Sequence, residues 1–271
     1  MSTTTPAAAE TIPDVAGLDV EHSFVEARGQ RFHVAQAGEG LPLVLLHGWP
    51  QHWWMWRLVM PTLATRFRLI APDLRGLGWS DAPEDGPYDK LTLAEDVLAV
   101  LDELGVGRFR LMGHDWGGYV SLLIAATARE RVERMIPMSF PPPWDHRPDP
   151  RRALGGAHIP FLSVTDRAAP IIARLALRNA DLTDDEIRVY TERFDHAERR
   201  KATVGYYRRF VLHDFRRGIP GGKPDVPMRY LGGAADPVVR FNGGVELIRG
   251  AGHFLPEDKP DAVIGHAMSF F

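Results

Sequence analysis

Short, mostly apolar runs recur along the chain, and each has the length of a β-strand. They occupy residues 43–46, 67–71, 109–112 and 132–138. A short run that is apolar throughout is typical of a strand buried on both faces of a parallel sheet. Two more polar stretches, residues 22–27 and 31–37, precede these runs and are separated by the turn residues Arg28, Gly29 and Gln30. The pattern therefore predicts a hairpin followed by parallel strands.

Helical patterns fill the intervals between the strands. Residues 92–95 (TLAE) have the pattern of a capping box that opens one helix, and residues 117–129 are rich in Ala, Leu and Ile. Strand patterns return at residues 226–231 and 245–248, and a final helix is expected after Pro256. Strands and helices that alternate in this way predict an α/β protein with a doubly wound, mostly parallel sheet.

The pattern changes between residues 144 and 216. This part shows helical signals, among them a second capping box at residues 183–186 (TDDE), and no convincing strand. Its arginine-rich stretch at residues 198–201 is expected to be a solvated helix face. We predict an α/β core formed by residues 1–143 and 217–271, with a helical cap formed by residues 144–216.

The composition limits the classes of protein to which the chain can belong. Its 271 residues are long enough for one large core, and the formal net charge of −3 gives no reason to expect nucleic acid or a membrane as partner. The absence of cysteine excludes disulfides, thiolate catalysis and cysteine-ligated metals. The N-terminus lacks a signal-peptide pattern, and no apolar run reaches the ~18 residues of a membrane span. We expect a cytoplasmic protein, monomeric or homodimeric.

The sequence GHDWGG at residues 113–118 joins a predicted buried strand to a helix rich in small residues. A nucleophile on a tight strand-to-helix turn needs small residues two positions before and after it, because strand and helix nearly touch there. Gly113 and Gly117 take those positions around Asp115. The N-terminus of the helix would favour an ionised carboxylate. We expect Asp115 to be a nucleophile, and the alternative is that it only caps the helix.

Three further features stand at the ends of predicted strands. HGWP at residues 47–50 follows the third strand, where the backbone N–H groups of Trp49 and Trp116 would form an oxyanion hole. Asp236 follows a late strand, and His253 lies on a glycine-flanked loop after the last strand. Nucleophile, acid and histidine thus occur in the order of a catalytic triad. The peptide bond before the proline of HGWP is a candidate for the cis form.

Several segments together carry a family resemblance. They are HGWP (47–50), WR (56–57), PDLRGLGWSD (72–81), GHDWGG (113–118) and GAGHFLPEDKPD (250–261). They resemble the α/β-hydrolase superfamily, in the branch shared by epoxide hydrolases and haloalkane dehalogenases, over most of the chain. The resemblance implies the α/β-hydrolase fold with an inserted cap, and no cofactor. His47 and His52 lie in a loop without carboxylate partners, so a metal site is not expected.

An aspartate in the place of a serine nucleophile changes the chemistry. A carboxylate is ionised at neutral pH and suits displacement at an sp³ carbon, which would leave an alkyl ester on Asp115. Water activated by His253 would then attack the ester carbonyl, while the oxyanion hole stabilises the tetrahedral intermediate. Asp236 would orient the imidazole and stabilise its charged form. This chemistry excludes ordinary esterases, lipases and peptidases.

The leaving group distinguishes the two branches. An epoxide oxygen needs a donor that stays neutral, such as tyrosine, whereas a halide needs N–H donors. The stretch VGYYR at residues 204–208 resembles the epoxide hydrolase segment in which the tyrosine before the arginine binds the epoxide oxygen, which implies this role for Tyr207. The usual second tyrosine is missing from residues 155–161. Because some epoxide hydrolases use a histidine there, His158 is the candidate; for both residues the alternative is simple packing.

The favoured prediction is an epoxide hydrolase acting on a small hydrophobic epoxide, and two alternatives stay open. Trp116 also fits a haloalkane dehalogenase, although Trp49 stands where those enzymes often carry Asn. Only sixteen residues separate Asp236 from His253, too few for the usual crossover helix and strand. Either that helix is missing or Asp236 is not the acid. The shortening also permits a non-catalytic relative that binds a small ligand under its cap.

Overall fold

The computed structural model describes residues 11–145, 149–151 and 155–271 and is built around an eight-stranded sheet. The strands are β1 (Glu21–Ala27), β2 (Gln30–Ala37), β3 (Leu41–Leu46), β4 (Phe67–Pro72), β5 (Phe109–His114), β6 (Val132–Met138), β7 (Leu231–Gly233) and β8 (Glu246–Ile248). They lie in the order β1-β2-β4-β3-β5-β6-β7-β8. The pairs β1–β2 and β2–β4 are antiparallel, and all other pairs are parallel. The predicted hairpin and mostly parallel sheet are confirmed.

Helices connect most of the strands. In the described residues they are α1 (Met60–Leu63), α2 (Lys90–Glu103), α3 (Trp116–Thr127), α4 (Ile159–Val164), α5 (Ala168–Leu177), α6 (Asp184–Thr191), α7 (Ala197–Arg209), α8 (Phe215–Arg217), α9 (Leu255–Asp258) and α10 (Pro260–Phe270). A π-helical turn, Phe210–Asp214, joins α7 to α8. None of the helices in the described ranges has the length and apolar character needed to cross a bilayer.

Both faces of the sheet are covered. Val44 and Leu46 of β3 belong to one hydrophobic core with α2 and α3. Leu43 and Leu45 belong to a second core with α1 and α10. All four side chains are fully buried. Alternate residues of one strand thus fill two separate cores, which explains why the sequence of this strand is continuously apolar.

Helices α4 to α8 lie between β6 and β7, and the described part of this region contains no strand. At the start of α6, the side chain of Thr183 accepts from the N–H of Glu186, and the Glu186 carboxylate accepts from the N–H of Thr183. This confirms the predicted capping box. The prediction for Arg199 is wrong, because its side chain is buried and donates to the carbonyls of Leu77 and Ser80. These contacts hold α7 against the core.

The start of α2 also differs from its prediction. The helix begins at Lys90, and its N-cap is Asp89, whose carboxylate accepts from the N–H of Thr92 over 3.1 Å. The hydroxyl of Thr92 donates to the same carboxylate. Aspartate and threonine are both favoured at the N-cap position. The N-cap is Asp89, three positions before Thr92, the residue that the sequence pattern predicted.

The strand expected at residues 226–231 begins and ends later than predicted. Pro227 has no N–H to donate to a sheet, and Met228 makes only an isolated bridge to Met135. Regular pairing starts with β7 at Leu231. The chain between β7 and β8 forms turns and contains no helix. The usual crossover helix is therefore missing, which is one of the two outcomes that the short segment before His253 allowed.

Candidate active site

Asp115 occupies a tight turn between β5 and α3. Its φ is 53° and its ψ is −120°, a backbone conformation that is rare for residues other than glycine and is concentrated at functional sites. A Cβ atom at Gly113 would clash with the carbonyl of Gly117, and one at Gly117 would clash with the carbonyl of Leu46. The two glycines are therefore a steric requirement of the turn.

Two backbone N–H groups and one histidine surround the Asp115 carboxylate. Trp49 donates its backbone N–H to Oδ1 over 2.9 Å, and the backbone N–H of Trp116 is a second donor. Oδ2 lies 3.6 Å from Nε2 of His253. Burial alone would raise the pKa of this carboxyl, but the hydrogen bond and charge of His253 lower the pKa below its usual value. Asp115 is therefore ionised at neutral pH, and its carboxylate accepts from the backbone N–H groups of the two residues named for the oxyanion hole.

His253 is paired on its other side with Asp236. Its Nδ1 lies 3.0 Å from Oδ2 of Asp236, which is fully buried and whose Oδ1 accepts from the N–H of Val238. Burial would lower the pKa of the imidazole, but the charge of Asp236 and the hydrogen bonds to Asp115 and Asp236 raise the pKa to about 10. The structure thus brings together the three residues that the sequence named as nucleophile, acid and histidine.

Two buried residues that the sequence analysis did not identify hold the His253 loop. Nε2 of His114 lies 2.7 Å from the carbonyl oxygen of His253, and the hydroxyl of Ser139 donates to the same oxygen over 2.8 Å. His114 stands within the GHDWGG motif, directly before Asp115. Ser139, with a φ of 54°, has no signal in the sequence because its partner is 114 positions away.

His47 holds the HGWP loop from behind. Its Nε2 accepts from the backbone N–H of Leu74 over 2.9 Å, and its Nδ1 lies 3.1 Å from the carbonyl oxygen of Gly48. Burial lowers the pKa of His47, so the imidazole is neutral and can accept at one nitrogen while it donates at the other. The Trp49–Pro50 bond of this loop is cis. Among the described residues, no group of three or more His, Cys, Asp or Glu side chains is arranged to hold a metal ion.

A cavity of about 1470 Å³ lies between the Asp115 turn and the helices that follow β6. Asp115 and His253 line it from the core, and Tyr207 and His158 line it from α7 and from the start of α4. The ring centroids of Tyr207 and His158 are 5.5 Å apart. The two candidates for binding the leaving oxygen are therefore neighbours in the same cavity as Asp115, the predicted nucleophile.

The protonation states of Tyr207 and His158 follow from their burial. Burial, and then the charge of Asp115, raise the pKa of Tyr207 well above 10. Burial lowers the pKa of His158 below 6.5, although the charge of Asp115 works in the opposite direction. Both side chains are consequently neutral at neutral pH, so each can donate one hydrogen bond.

Known proteins resemble this chain over most of its length. Residues 42–154 match the family described as alpha/beta hydrolase fold. A soluble epoxide hydrolase from Corynebacterium sp. (strain C12) is 32% identical, with 93% of this chain and 98% of that protein aligned. Epoxide hydrolase 3 from Siraitia grosvenorii is 26% identical over 93% of this chain and 98% of that protein.

Two solved structures share the fold. The epoxide hydrolase CorEH without ligand superimposes with a TM-score of 0.81 and 32% identity, covering 93% of this chain and 99% of that one. An epoxide hydrolase from Vigna radiata gives a TM-score of 0.78 and 26% identity, with coverage of 93% and 97%.

Proposed function

Since the chain belongs to the α/β-hydrolase superfamily, in the branch of the epoxide hydrolases, we propose that it opens an epoxide to a vicinal diol through an alkyl ester on Asp115. The main support for this mechanism is the set of groups that line the two sides of the cavity. On its core side lies an ionised carboxylate with two N–H donors, and on its other side lie a neutral tyrosine and a neutral histidine. A small hydrophobic epoxide between them would meet a nucleophile at carbon and donors at oxygen.

The first step is displacement at an epoxide carbon. Oδ2 of Asp115 forms a bond to that carbon, the carbon–oxygen bond of the ring breaks, and its electron pair moves to the ring oxygen. Tyr207 and His158 bind this oxygen by hydrogen bonds as its charge develops, and it takes up one proton from solvent. Oδ1 keeps the N–H of Trp49 and becomes the carbonyl oxygen of the new ester, with the N–H of Trp116 as the second donor to the group.

The second step is hydrolysis of the ester. Once Asp115 is esterified it carries no charge, so the hydrogen bond and charge that helped to raise the pKa of His253 are lost and the imidazole can become neutral. It then takes a proton from water, which attacks Cγ of Asp115. The oxyanion forms on Oδ1 against the two N–H donors. Its collapse breaks the bond between Cγ and the ester oxygen, and this oxygen takes the proton of the newly added hydroxyl, which leaves the diol and the Asp115 carboxylate. The proton passed from water to His253 restores its charged resting state. The proton that the imidazole gave to solvent on becoming neutral balances the proton taken up by the epoxide oxygen.

A haloalkane dehalogenase is the second candidate, because the indole N–H of Trp116 is buried in the wall of the cavity, next to Tyr207. This N–H could bind a halide. The indole of Trp49 is not available to a halide, since it donates to Thr203 over 3.1 Å. The neutral hydroxyl of Tyr207 in the cavity wall favours the epoxide.

The test is to trap the ester. His253→Gln should block hydrolysis, so the variant incubated with styrene oxide is expected to gain the mass of one epoxide, located on Asp115 by peptide mapping. Asp115→Asn in the same background is the matched control and should gain nothing. An adduct from 1-bromohexane with bromide release, and none from epoxides, would favour the dehalogenase. No adduct from either substrate, combined with tight binding of a small ligand, would favour a non-catalytic binding protein.

A further inference from the structure

Thr203 connects α7 to the loop that carries Trp49. The indole N–H of Trp49 donates to the Thr203 hydroxyl over 3.1 Å, and this hydroxyl donates to the carbonyl of Arg199, one turn earlier, over 3.1 Å. Because its proton is used within the helix, the hydroxyl offers its lone pairs to the indole. Thr203 is fully buried and Trp49 nearly so. The N–H of Trp49 would therefore find no replacement partner if the hydroxyl were removed.

Trp49 in turn contacts both sides of the cavity. Its backbone N–H holds Oδ1 of Asp115 at 2.9 Å, and its ring packs perpendicular to the ring of Tyr207 with centroids 5.6 Å apart. Thr203 and Tyr207 are four residues apart on α7, so they lie on the same face of the helix. One tryptophan thus contacts the nucleophile through its backbone and α7 through its side chain.

Other buried bonds fix α7 to different parts of the core. The hydroxyl of Tyr206 donates to the carbonyl of Arg75 over 2.7 Å, and the ammonium of Lys90 donates to the carbonyl of Tyr206 over 2.8 Å. These bonds join α7 to the loop after β4 and to the start of α2. The bond from Trp49 to Thr203 differs from them because it joins the helix to a residue that touches the nucleophile.

We propose that Thr203 is a positioning residue that sets the distance between the Asp115 carboxylate and the Tyr207 hydroxyl. The inference rests on the proposed function, since it concerns the step in which Asp115 attacks and Tyr207 binds the leaving oxygen. Thr203 does not contact the substrate in this proposal. Loss of the bond would free the Trp49 indole to turn, and would thereby disturb both the N–H at Oδ1 and the surface against which Tyr207 packs.

The experiment compares Thr203→Val, Thr203→Ser and Trp49→Phe in the His253→Gln background. The rate of ester formation with styrene oxide is followed by quenching and intact-mass spectrometry. Thr191→Val is the matched control, because the Thr191 hydroxyl donates only within α6, to the carbonyl of Ile187. A ¹⁵N NMR spectrum of the indole N–H groups reports independently whether Trp49 keeps its hydrogen bond.

We expect T203V to slow ester formation about tenfold at saturating epoxide, with little change in the concentration that gives half the maximal rate. T203S keeps the hydroxyl and should stay within about twofold of the parent, and T191V should equal the parent. The rate of ester formation should fall as much in W49F as in T203V. The double variant W49F/T203V should be no slower than either single variant, because both substitutions remove the same bond. This comparison of W49F with T203S keeps the test decisive if T203V fails to fold.

The proposal is wrong if T203V forms the ester at the parent rate while the Trp49 indole signal shifts, since the bond would then be lost without consequence. It is equally wrong if T203S and T203V are slowed alike. Failure of the proposed function has a different signature. In that case the parent His253→Gln protein itself forms no ester with an epoxide, whatever the indole spectrum shows.

Discussion

Nδ1 of His253 lies 3.0 Å from Oδ2 of Asp236, although only sixteen residues separate them in the chain. The contact does not need the usual crossover helix. Asp236 stands three residues after β7, His253 stands five residues after β8, and the two strands are direct neighbours in the sheet. The buried side chain of Val239 packs over Gly232 and occupies part of the space beside β7. A short turn is therefore enough to bring acid and histidine together.

Asp236→Asn should separate the two chemical steps. The amide keeps the shape of the side chain but removes the charge that stabilises the imidazolium. We expect ester hydrolysis to slow by roughly 10²–10⁴-fold, and ester formation to slow far less, because attack uses the carboxylate of Asp115. In rapid-quench mass spectrometry the ester should accumulate during turnover. The exposed Asp225→Asn is the control, and equal slowing of both steps would contradict the role of Asp236.

Tyr207→Phe should slow the first step, formation of the ester on Asp115. The change removes the hydroxyl but keeps the ring that packs on Trp49 and Trp116. Ester formation from an epoxide should fall by roughly 10²-fold or more, because a general acid of this kind contributes about 10²–10⁴. Hydrolysis of an ester already formed should be unchanged. His158→Ala should show a smaller loss in the same step.

Tyr206→Phe is the matched control for Tyr207→Phe. Its hydroxyl donates to the carbonyl of Arg75 and does not line the cavity. The variant should lose about 1 kcal/mol of stability in urea denaturation and keep its rate of ester formation. If Y207F forms the ester from an epoxide at the wild-type rate, the assignment of Tyr207 as the oxygen donor is wrong.

Local steric demands made part of the site predictable. The turn at Asp115 needs glycines at fixed short distances, so Gly113 and Gly117 identified it without any knowledge of the rest of the chain. The buried strands were predictable for a similar reason, since a strand covered on both faces must be continuously apolar. The boundaries of the helices were harder to predict. Asp89 and Thr92 both suit an N-cap, and the sequence alone does not show which carboxylate or hydroxyl turns toward the free N–H groups.

Long-range buried contacts were not predictable from any pattern. Trp49 and Thr203 are 154 positions apart, and Arg57 and Glu257 are 200 positions apart. Each pair is polar and buried, so neither shows the periodicity that marks a helix or strand face. Such pairs become visible only when the fold has brought the elements together, which is why the sequence named the candidate reacting groups but missed the residues that hold them.

The stability of the folded chain should depend on pH through His253. Its pKa is about 10 in the fold and 6.5 for a free imidazole, so the folded state keeps a proton that the unfolded chain releases between these values. The resulting stabilisation is fully present below pH 6.5 and is lost as pH rises toward 10. The slope is at most about 1.4 kcal/mol per pH unit.

Subtraction isolates this contribution of His253. The free energy of unfolding of His253→Gln is subtracted from that of the wild type at pH 6, 8 and 10, so that the other titrating groups, among them Lys90 with its pKa of about 8, largely cancel. The difference should shrink as the pH rises. A difference that is constant over this range would contradict the charged resting state of His253.

A buried ionic cluster should hold α6 to the residues around the sheet. The guanidinium of Arg57, beside the HGWP loop, donates to Glu257 over 2.6 Å and to Glu186 of α6 over 2.5 Å. The hydroxyl of Tyr190, also on α6, donates to Glu257 over 2.6 Å. Arg57→Met would leave the Glu257 carboxylate buried without its cation, at a cost of about 3–5 kcal/mol in urea denaturation at pH 8.

The control for Arg57→Met is Arg188→Met. Arg188 pairs with Asp185 at 2.8 Å on an exposed helix face, where the two side chains are 68% and 85% accessible, and its loss should cost at most about 1 kcal/mol. Burial already raises the pKa of Glu257, and removal of Arg57 should raise it further. A protonated Glu257 carries no charge, so the cost of R57M should be smaller at pH 5 than at pH 8. If R57M loses no more stability than R188M, or if its loss does not depend on pH, the cluster does not hold α6 to the rest of the protein.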